Sequence, residues 1–100
     1  SAQQEDHLSL GTPSALKCLQ IVDNTRHILA IEYLLAGQAM EFYPGLKRGR
    51  GTEAAYGVLR REIAPYNQDR FLSPDIALVA RRMAEGDWAK AIAATLPAGL

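Results

Sequence analysis

Apolar residues recur at helical spacing through most of the chain, and the longest such pattern predicts a helix over residues 13–43. Thr12 can cap this helix, and Pro13 suits its first position because a proline there loses no hydrogen bond. The apolar residues form two stripes, one with Ala15, Leu19, Val22, Leu29, Tyr33, Ala36 and Met40, and one with Ile21, Ile28, Leu35 and Phe42. Pro44 and Gly45 end the pattern.

Three shorter helices are predicted within residues 52–96. They start at Thr52, at Ser73 with Pro74, and at Asp87, and Gly86 closes the second of them. The positions predicted to face inward are Ala55, Val58, Leu59, Ile63, Ile76, Val79, Ala80, Met83, Trp88, Ala91 and Ile92. Because no segment shows the alternation of a strand, we predict an all-α fold with one long helix and three short ones.

The predicted long helix is too long and too apolar for the chain that carries it. At about 1.5 Å per residue it would span roughly 45 Å, whereas a compact chain of this size has a radius of gyration of about 13 Å. Its two stripes need two sets of partners. We therefore expect a multi-helix bundle completed by another segment or by other subunits. Alternatively, Gly37 kinks or ends the helix and the chain forms a small bundle by itself.

The charge balance, the cysteine count and the apolar runs of the sequence argue against some classes of function. Eleven basic and eleven acidic side chains balance in the 100 residues, which argues against a dedicated nucleic-acid binder. The single cysteine, Cys18, favours a reducing compartment, and with no secretory leader visible before the first helix we expect a cytoplasmic protein. The apolar run over residues 28–43 is interrupted by Glu32, Gln38 and Glu41, so no membrane span is predicted.

Polar candidates for chemistry cluster before the long helix, at Gln4, Glu5, Asp6 and His7. Glu5 could bind a cation or an N–H donor, or transfer a proton. From spacing alone, a solvated carboxylate that favours the helix dipole is the commoner case. No Cys or His pair has metal-ligand spacing, so no metal site is predicted. Because the sequence opens at Ser1 without a methionine, we expect the chain to be a piece of something larger.

The remaining charged and reactive residues have structural interpretations. The Lys47–Gly51 loop lacks the spacing of a phosphate-binding loop and is predicted to be exposed and mobile. Four helix arginines are predicted to form ion pairs or cover apolar surface: Arg60, Arg61, Arg81 and Arg82. Asp69 and Arg70 are expected to tie an irregular connection to a helix, His27 to be packed or hydrogen-bonded, and Cys18 to pack as a small hydrophobe.

Three ordered segments resemble the histidine ammonia-lyases of the aromatic amino acid ammonia-lyase family. Gln4-Glu5-Asp6-His7 resembles the Gln-Glu-Asp-His segment, residues 23–32 look like the long central helix, and residues 69–76 are similar to the C-terminal signature. The resemblance implies that residues 1–100 are the C-terminal helical segment of a longer enzyme. Residues 1–12 would then be a pocket loop, residues 13–43 a bundle helix and residues 52–96 the short helices.

The resemblance also implies an activity. Histidine ammonia-lyases eliminate ammonia from L-histidine without oxidation and give urocanate, using an electrophilic methylidene-imidazolone made from an Ala-Ser-Gly triplet. This chain contains no such triplet, so it is predicted to be inactive alone. The expected partners are the remainder of the enzyme polypeptide, the amino acid substrate and other copies in a homotetramer, with no nucleic acid and no membrane.

By the same resemblance, Glu5 is the catalytic and substrate-binding candidate, and Gln4 lines the pocket beside it. The glutamate of the family lies next to the substrate imidazole, and phenylalanine-type enzymes carry a neutral amide at that place, so Glu5 favours histidine as substrate. The sequence leaves open whether Glu5 orients the ring or also transfers a proton, and whether the enzyme is a lyase or an aminomutase. The alternative function is a stand-alone helical oligomerisation or interaction module without catalysis.

Overall fold

The chain forms four helices in a computed structural model, which describes residues 2–98 and the side chains of residues 11–98. They are α1 (Ala2–Met40), α2 (Arg50–Arg60), α3 (Ser73–Glu85) and α4 (Asp87–Ala93). No strand occurs in residues 2–98, which confirms the all-α prediction. No helix of the described part of the chain is long and apolar enough to cross a membrane.

Helix α1 begins earlier than the sequence predicts. It runs back to Ala2 and contains Pro13 in its interior, so residues 2–12 are helical rather than a loop and Thr12 is not its cap. The helix continues through Pro13 although this residue has no N–H to donate to the carbonyl of Ser9. At the other end α1 stops at Met40. Three i→i−3 hydrogen bonds, about one further turn, then carry the backbone to Tyr43, close to the predicted end.

Gly37 neither kinks nor ends α1. The helix continues through it, and Gly37 itself is buried. A Cβ added at this position would overlap the Leu59 side chain of α2. Gly37 therefore serves as a point of close approach between the two helices, and the predicted alternative in which it kinks or ends the long helix is wrong.

The core lies between the C-terminal half of α1 and the three short helices. Its buried residues are Ala30, Leu34, Val58, Leu59, Ile63, Val79, Ala80 and Trp88. Tyr33 meets Trp88 edge-to-face, with 5.9 Å between ring centroids. The inward positions predicted for α2, α3 and α4 are all buried or partly buried, which confirms them.

The face of α1 that packs on the rest of the chain is not the one that either predicted stripe marks. Ala30, Leu34 and Gly37 make this face, and none of them belongs to a stripe. The stripes are largely exposed, with Leu19 67% and Ile28 63% accessible. Most of both stripes is therefore left without a cover inside this chain, whereas Tyr33 of the first stripe packs against the core.

The N-terminal half of α1 extends beyond the core, as the length argument predicts. Residues 11–25 are all exposed. The radius of gyration is 18.7 Å, well above the value of about 13 Å for a compact chain of this length.

Candidate functional site

The predicted site residues Gln4 and Glu5 lie in the first turns of α1, and their side chains fall outside the described residues. Along the axis of α1, Glu5 is about 37 Å from Ala30, at about 1.5 Å per residue. Ala30 is the first buried residue of the helix among those from Gly11 onward. The three short helices therefore lie far from the candidate glutamate, and the structure does not bring the two together.

The described polar contacts concentrate at the opposite end of α1, where Gln38 faces the connection between α2 and α3. The backbone N–H of Tyr66 donates to Gln38 Oε1 at 2.8 Å, and Gln38 Nε2 lies 3.5 Å from the Tyr66 carbonyl. The Tyr66 hydroxyl donates to Asp75 at 2.9 Å. Burial raises the pKa of Tyr66, and the Asp75 carboxylate raises it further. These contacts fix the connection onto α1 and α3.

Arg70 fastens the same connection from the outside. It donates to the carbonyls of Ala64, at 2.7 Å, and Pro65, at 3.3 Å, and to Asp75 at 3.1 Å. Its guanidinium also stacks 4.1 Å from the Tyr66 ring centroid. The prediction of a structural tie is confirmed for Arg70, whereas Asp69 is exposed.

An open groove runs beside this cluster. Its volume is about 470 Å³. Apolar residues line part of it, and polar or charged residues, most of them in the connection, line the rest: Ile31, Leu34, Leu35, Leu72 and Ile76, and Gln38, Tyr66, Asn67, Gln68, Asp69 and Arg70. The polar atoms of Gln38 are already bonded to the backbone of Tyr66.

A second cluster joins the end of α1 to α2. Glu41 accepts hydrogen bonds from the hydroxyl of Tyr56 and, at 2.9 Å, from Arg60 Nε. Arg60 Nη2 also lies 2.9 Å from Glu41 but without the alignment of a hydrogen bond. The bond from Tyr56 lowers the pKa of Glu41 most, and the positive charges of Arg60 and Arg48 lower it further.

The basic loop is held by its arginine. Arg48 pairs with Glu53 at 2.9 Å and lies 4.2 Å from the Tyr56 ring centroid. Most of residues 45–49 are exposed, as predicted, but Arg48 is mostly covered and has defined partners. The loop is therefore anchored at its centre, which the prediction of a mobile loop missed.

A third cluster ties α3 to the segment after α2. Arg82 binds Glu62 through Nε and Nη2, at 2.8 and 2.6 Å, and binds Glu85 through Nη1 at 2.9 Å. The bonds from Arg82 lower the pKa of Glu62, and the two carboxylates raise the pKa of Arg82. The ion pairs predicted for Arg60 and Arg82 are thus confirmed. In all three clusters an arginine binds carboxylates or carbonyls, which is a stabilising arrangement.

The predictions for His27 and Cys18, which both lie on α1, have different outcomes. The Nδ1 atom of His27 lies 2.9 Å from the carbonyl of Asp23, so the hydrogen-bonded histidine is confirmed. Cys18 is exposed in this chain and does not pack as predicted. Among the described residues no group of three His, Cys, Asp or Glu side chains could hold a metal ion.

Comparison with known proteins gives a family match that covers residues 1–61 and so includes the candidate Glu5. The sequence model of the family described as "Aromatic amino acid lyase" matches residues 1–61. A histidine ammonia-lyase of Symbiobacterium thermophilum is 44% identical over 94% of this chain, and one of Caldanaerobacter subterraneus is 47% identical over 76%. One of Photorhabdus laumondii is 39% identical over 99%.

The matches cover nearly all of this chain but little of each relative. The chain spans 18% of the Symbiobacterium protein, 15% of the Caldanaerobacter protein and 18% of the Photorhabdus protein. The family match itself extends from the first turns of α1 to the end of α2. The chain therefore belongs to the aromatic amino acid lyase family.

Proposed function

We propose that this chain is the C-terminal segment of a histidine ammonia-lyase, and that the complete enzyme eliminates ammonia from L-histidine to give urocanate. The observation that carries the proposal is the identity of 39–47% to proteins named histidine ammonia-lyase over 76–99% of the chain. The identity of the substrate rests additionally on Glu5, which lies within the residues that match the family.

Glu5 is proposed to accept a hydrogen bond from the substrate imidazole. An imidazole N–H that is removed from water needs an acceptor, and a charged acceptor binds it more strongly than a neutral one. Gln4 would line the pocket next to it. Whether Glu5 only orients the ring or also takes a proton is decided by the pH profile of a Glu5→Gln variant, because proton transfer requires a titrating group and orientation does not.

The prosthetic group of the complete enzyme is proposed to be formed on other polypeptide, since no Ala-Ser-Gly triplet occurs in this sequence. When present, a methylidene-imidazolone supplies the electrophile for the elimination. The contribution of this chain is then a pocket carboxylate and the packing surfaces of α1. We place the enzyme in the cytoplasm, which fits a chain with a single cysteine.

The long helix is proposed to be part of a bundle between subunits of a homotetramer. The support comes from the two apolar stripes of α1, which the short helices leave exposed, and from the extension of residues 11–25 beyond the core. Closed symmetric assemblies commonly bury such faces against identical copies. An active site that draws residues from several subunits would also explain why Glu5 lies so far from the core of its own chain.

The test is turnover of L-histidine by the complete enzyme, followed by the absorbance of urocanate. We expect Glu5→Ala to lower kcat/KM about 10- to 100-fold, the factor that corresponds to losing a hydrogen bond to a charged group. Arg61→Ala, at an exposed position remote from α1's first turns, should leave kcat/KM unchanged. This chain without its remaining polypeptide should produce no urocanate.

Two results would contradict the proposal. Urocanate formation by the 100-residue chain alone would refute a divided active site. A complete enzyme that leaves L-histidine intact, while this chain assembles by itself into a cooperative helical oligomer, would favour the interaction module, for which the exposed stripes are the supporting observation.

A further inference from the structure

The helical conformation of α1 is least stable around three residues, Gly11, Thr12 and Pro13. Pro13 has no N–H to offer the carbonyl of Ser9, and its ring crowds that carbonyl. Gly11 has open space around it, with no atom within 4 Å of an added Cβ, so no close contact requires a glycine there. Glycine and proline are the two residues that favour a helix interior least. Two of them within three positions make this the place where α1 breaks most easily.

Nothing in the described part of the chain packs against this point. Residues 11–25 are exposed, and from Gly11 onward the first buried residue of α1 is Ala30. Tertiary contacts therefore stabilise α1 near Ala30 and beyond, but not around Pro13. The helical segment before Pro13 comprises residues 2–12, and isolated helices below about 12–15 residues are marginal in water.

The same residues also form a good helix start. Thr12 is a favourable N-cap, and Pro13 is favourable at the first helical position, where its missing N–H costs nothing. The chain thus has two competing arrangements, a helix continuous to Ala2, as in the structure, and a helix that starts at Pro13.

We propose that Pro13 is a positioning residue, which breaks α1 so that residues 2–12 can turn away from the helix axis and carry Glu5 into its pocket. The pocket role of Glu5 rests on the proposed function, whereas the break at Pro13 does not. A continuous helix holds the backbone of Glu5 about 12 Å beyond Pro13 on the axis of α1, at about 1.5 Å per residue. A break at Pro13 removes that constraint while the core end of the helix stays intact.

Backbone amide hydrogen exchange on this chain tests the break. The amides of residues 3–12 should exchange at least about tenfold faster than those of residues 28–38. Pro13→Ala should slow exchange in residues 3–12 about tenfold or more, because it restores the hydrogen bond to Ser9 and removes the crowding. Ser14→Ala is the matched control, one position along, and should leave the ratio unchanged. Equal exchange on both sides of Pro13, or no response to Pro13→Ala, would overturn the proposal.

Turnover by the complete enzyme tests the consequence for Glu5. Pro13→Ala should raise KM for L-histidine about tenfold or more, while Ser14→Ala should not, and the oligomer observed by sedimentation should be the same for both. An unchanged KM with slowed exchange would refute the positioning role and leave the proposed function standing. An absence of histidine turnover in the unmodified complete enzyme would refute the proposed function, and the exchange result would still decide whether Pro13 breaks the helix.

Discussion

Helices α1 and α2 approach each other closely at Gly37, so a substitution there tests how tightly the core is packed. A Cβ on Gly37 would overlap the side chain of Leu59, which is fully buried. Overpacking of this kind costs about 1–3 kcal/mol, and the better helix propensity of alanine offsets up to about 1 kcal/mol. We expect Gly37→Ala to lower the free energy of unfolding by about 1–2 kcal/mol, measured by urea denaturation.

The matched control for this substitution is Gly57→Ala. Gly57 is exposed within α2, and an added Cβ meets no atom within 4 Å. This variant should gain up to about 1 kcal/mol from helix propensity alone. A Gly37→Ala variant as stable as the unmodified chain would show that Leu59 has room to move and that the helices do not touch as the structure indicates.

Glu41 gives the chain a dependence on pH. Its pKa is lowered mainly by the bond from Tyr56, so it stabilises the fold above the ordinary glutamate pKa of about 4.3 and loses this effect as the pH falls through its folded value. Glu62, whose pKa Arg82 lowers, acts in the same direction. We expect the free energy of unfolding to decrease below about pH 4.3, and Tyr56→Phe to reduce that decrease.

Nuclear magnetic resonance titration of the glutamate side chains separates this effect from general acid unfolding. Tyr56→Phe should raise the pKa of Glu41 and cost about 1 kcal/mol at neutral pH, since Glu41 is partly exposed. Tyr43→Phe, at an exposed tyrosine, should change neither value. If Glu41 titrates at the ordinary glutamate pKa in the unmodified chain, its bond to Tyr56 does not form in solution.

At the scale of the elements, the C-terminal ends of the helices were largely predictable, because a single residue such as a glycine or proline can end a helix. Gly86 takes a left-handed conformation with φ of 84° and caps α3, as the sequence predicts. Start positions were less well determined. α2 begins at Arg50 after Gly49, so Thr52 is an interior residue rather than a cap. Asp87 is the first residue of α4, and Gly86 precedes it as the cap.

The contacts between elements could not be read from local patterns. Gln38 and Tyr66 are 28 residues apart, and Tyr56 and Glu41 are 15 apart, so no spacing rule pairs them. The packed face of α1 is inconspicuous in sequence because it consists of alanine, leucine and glycine at Ala30, Leu34 and Gly37. The candidate site itself depends on Glu5 and on polypeptide outside this chain, so it followed from resemblance and not from the spacing of residues here.

Arg70 makes several of the bonds that hold the irregular connection between α2 and α3, so its contribution to this element can be tested. We expect Arg70→Ala to cost about 1 kcal/mol, since the bonds that it removes are partly exposed to water. The carbonyl of Ala64 loses the donor that Arg70 supplies, whereas Pro65 and Asp75 still accept from the Asn67 N–H and the Tyr66 hydroxyl. The amide of Tyr66 should exchange faster by hydrogen exchange. Arg61→Ala, at an exposed arginine of the same segment, should stay within about 0.5 kcal/mol of the unmodified chain.

Arg70→Lys distinguishes charge from geometry at this position. Lysine keeps the positive charge but cannot reach two carbonyls and a carboxylate with a planar fork. The lysine variant should therefore retain less than half of the stabilisation. Full retention would mean that the charge opposite Asp75 suffices and that the bonds to the two carbonyls contribute nothing.

At the scale of the whole molecule, the short helices and the C-terminal half of α1 form a core. The long helix also carries an apolar stripe that the rest of the chain does not cover, and we call this exposed part of α1 the rod. Val58, Leu59 and Val79 are buried by the chain itself, whereas Ile21, Ile28 and Leu35 are 62–63% exposed along a single stripe. Apolar surface of this extent on a helix is the usual mark of an interface. The proposed assembly covers the stripe of the rod with other copies and leaves the core unchanged. The helix content of the first half of α1 should therefore depend on concentration, and the core should not.

Substituting lysine at the three stripe positions therefore tests the assembly of α1 separately from the folding of the core. Complete burial of each isoleucine or leucine is worth roughly 2 kcal/mol, so replacing Ile21, Ile28 and Leu35 together should abolish an assembly that the unmodified chain forms with rising concentration. Sedimentation should then show a monomer, and circular dichroism a loss of helix from the first half of α1. Trp88 fluorescence should stay that of a buried indole, because the core persists, and Gln20→Lys should behave like the unmodified chain. A monomeric unmodified chain with the same helix content as the lysine variant would show that α1 needs no neighbours.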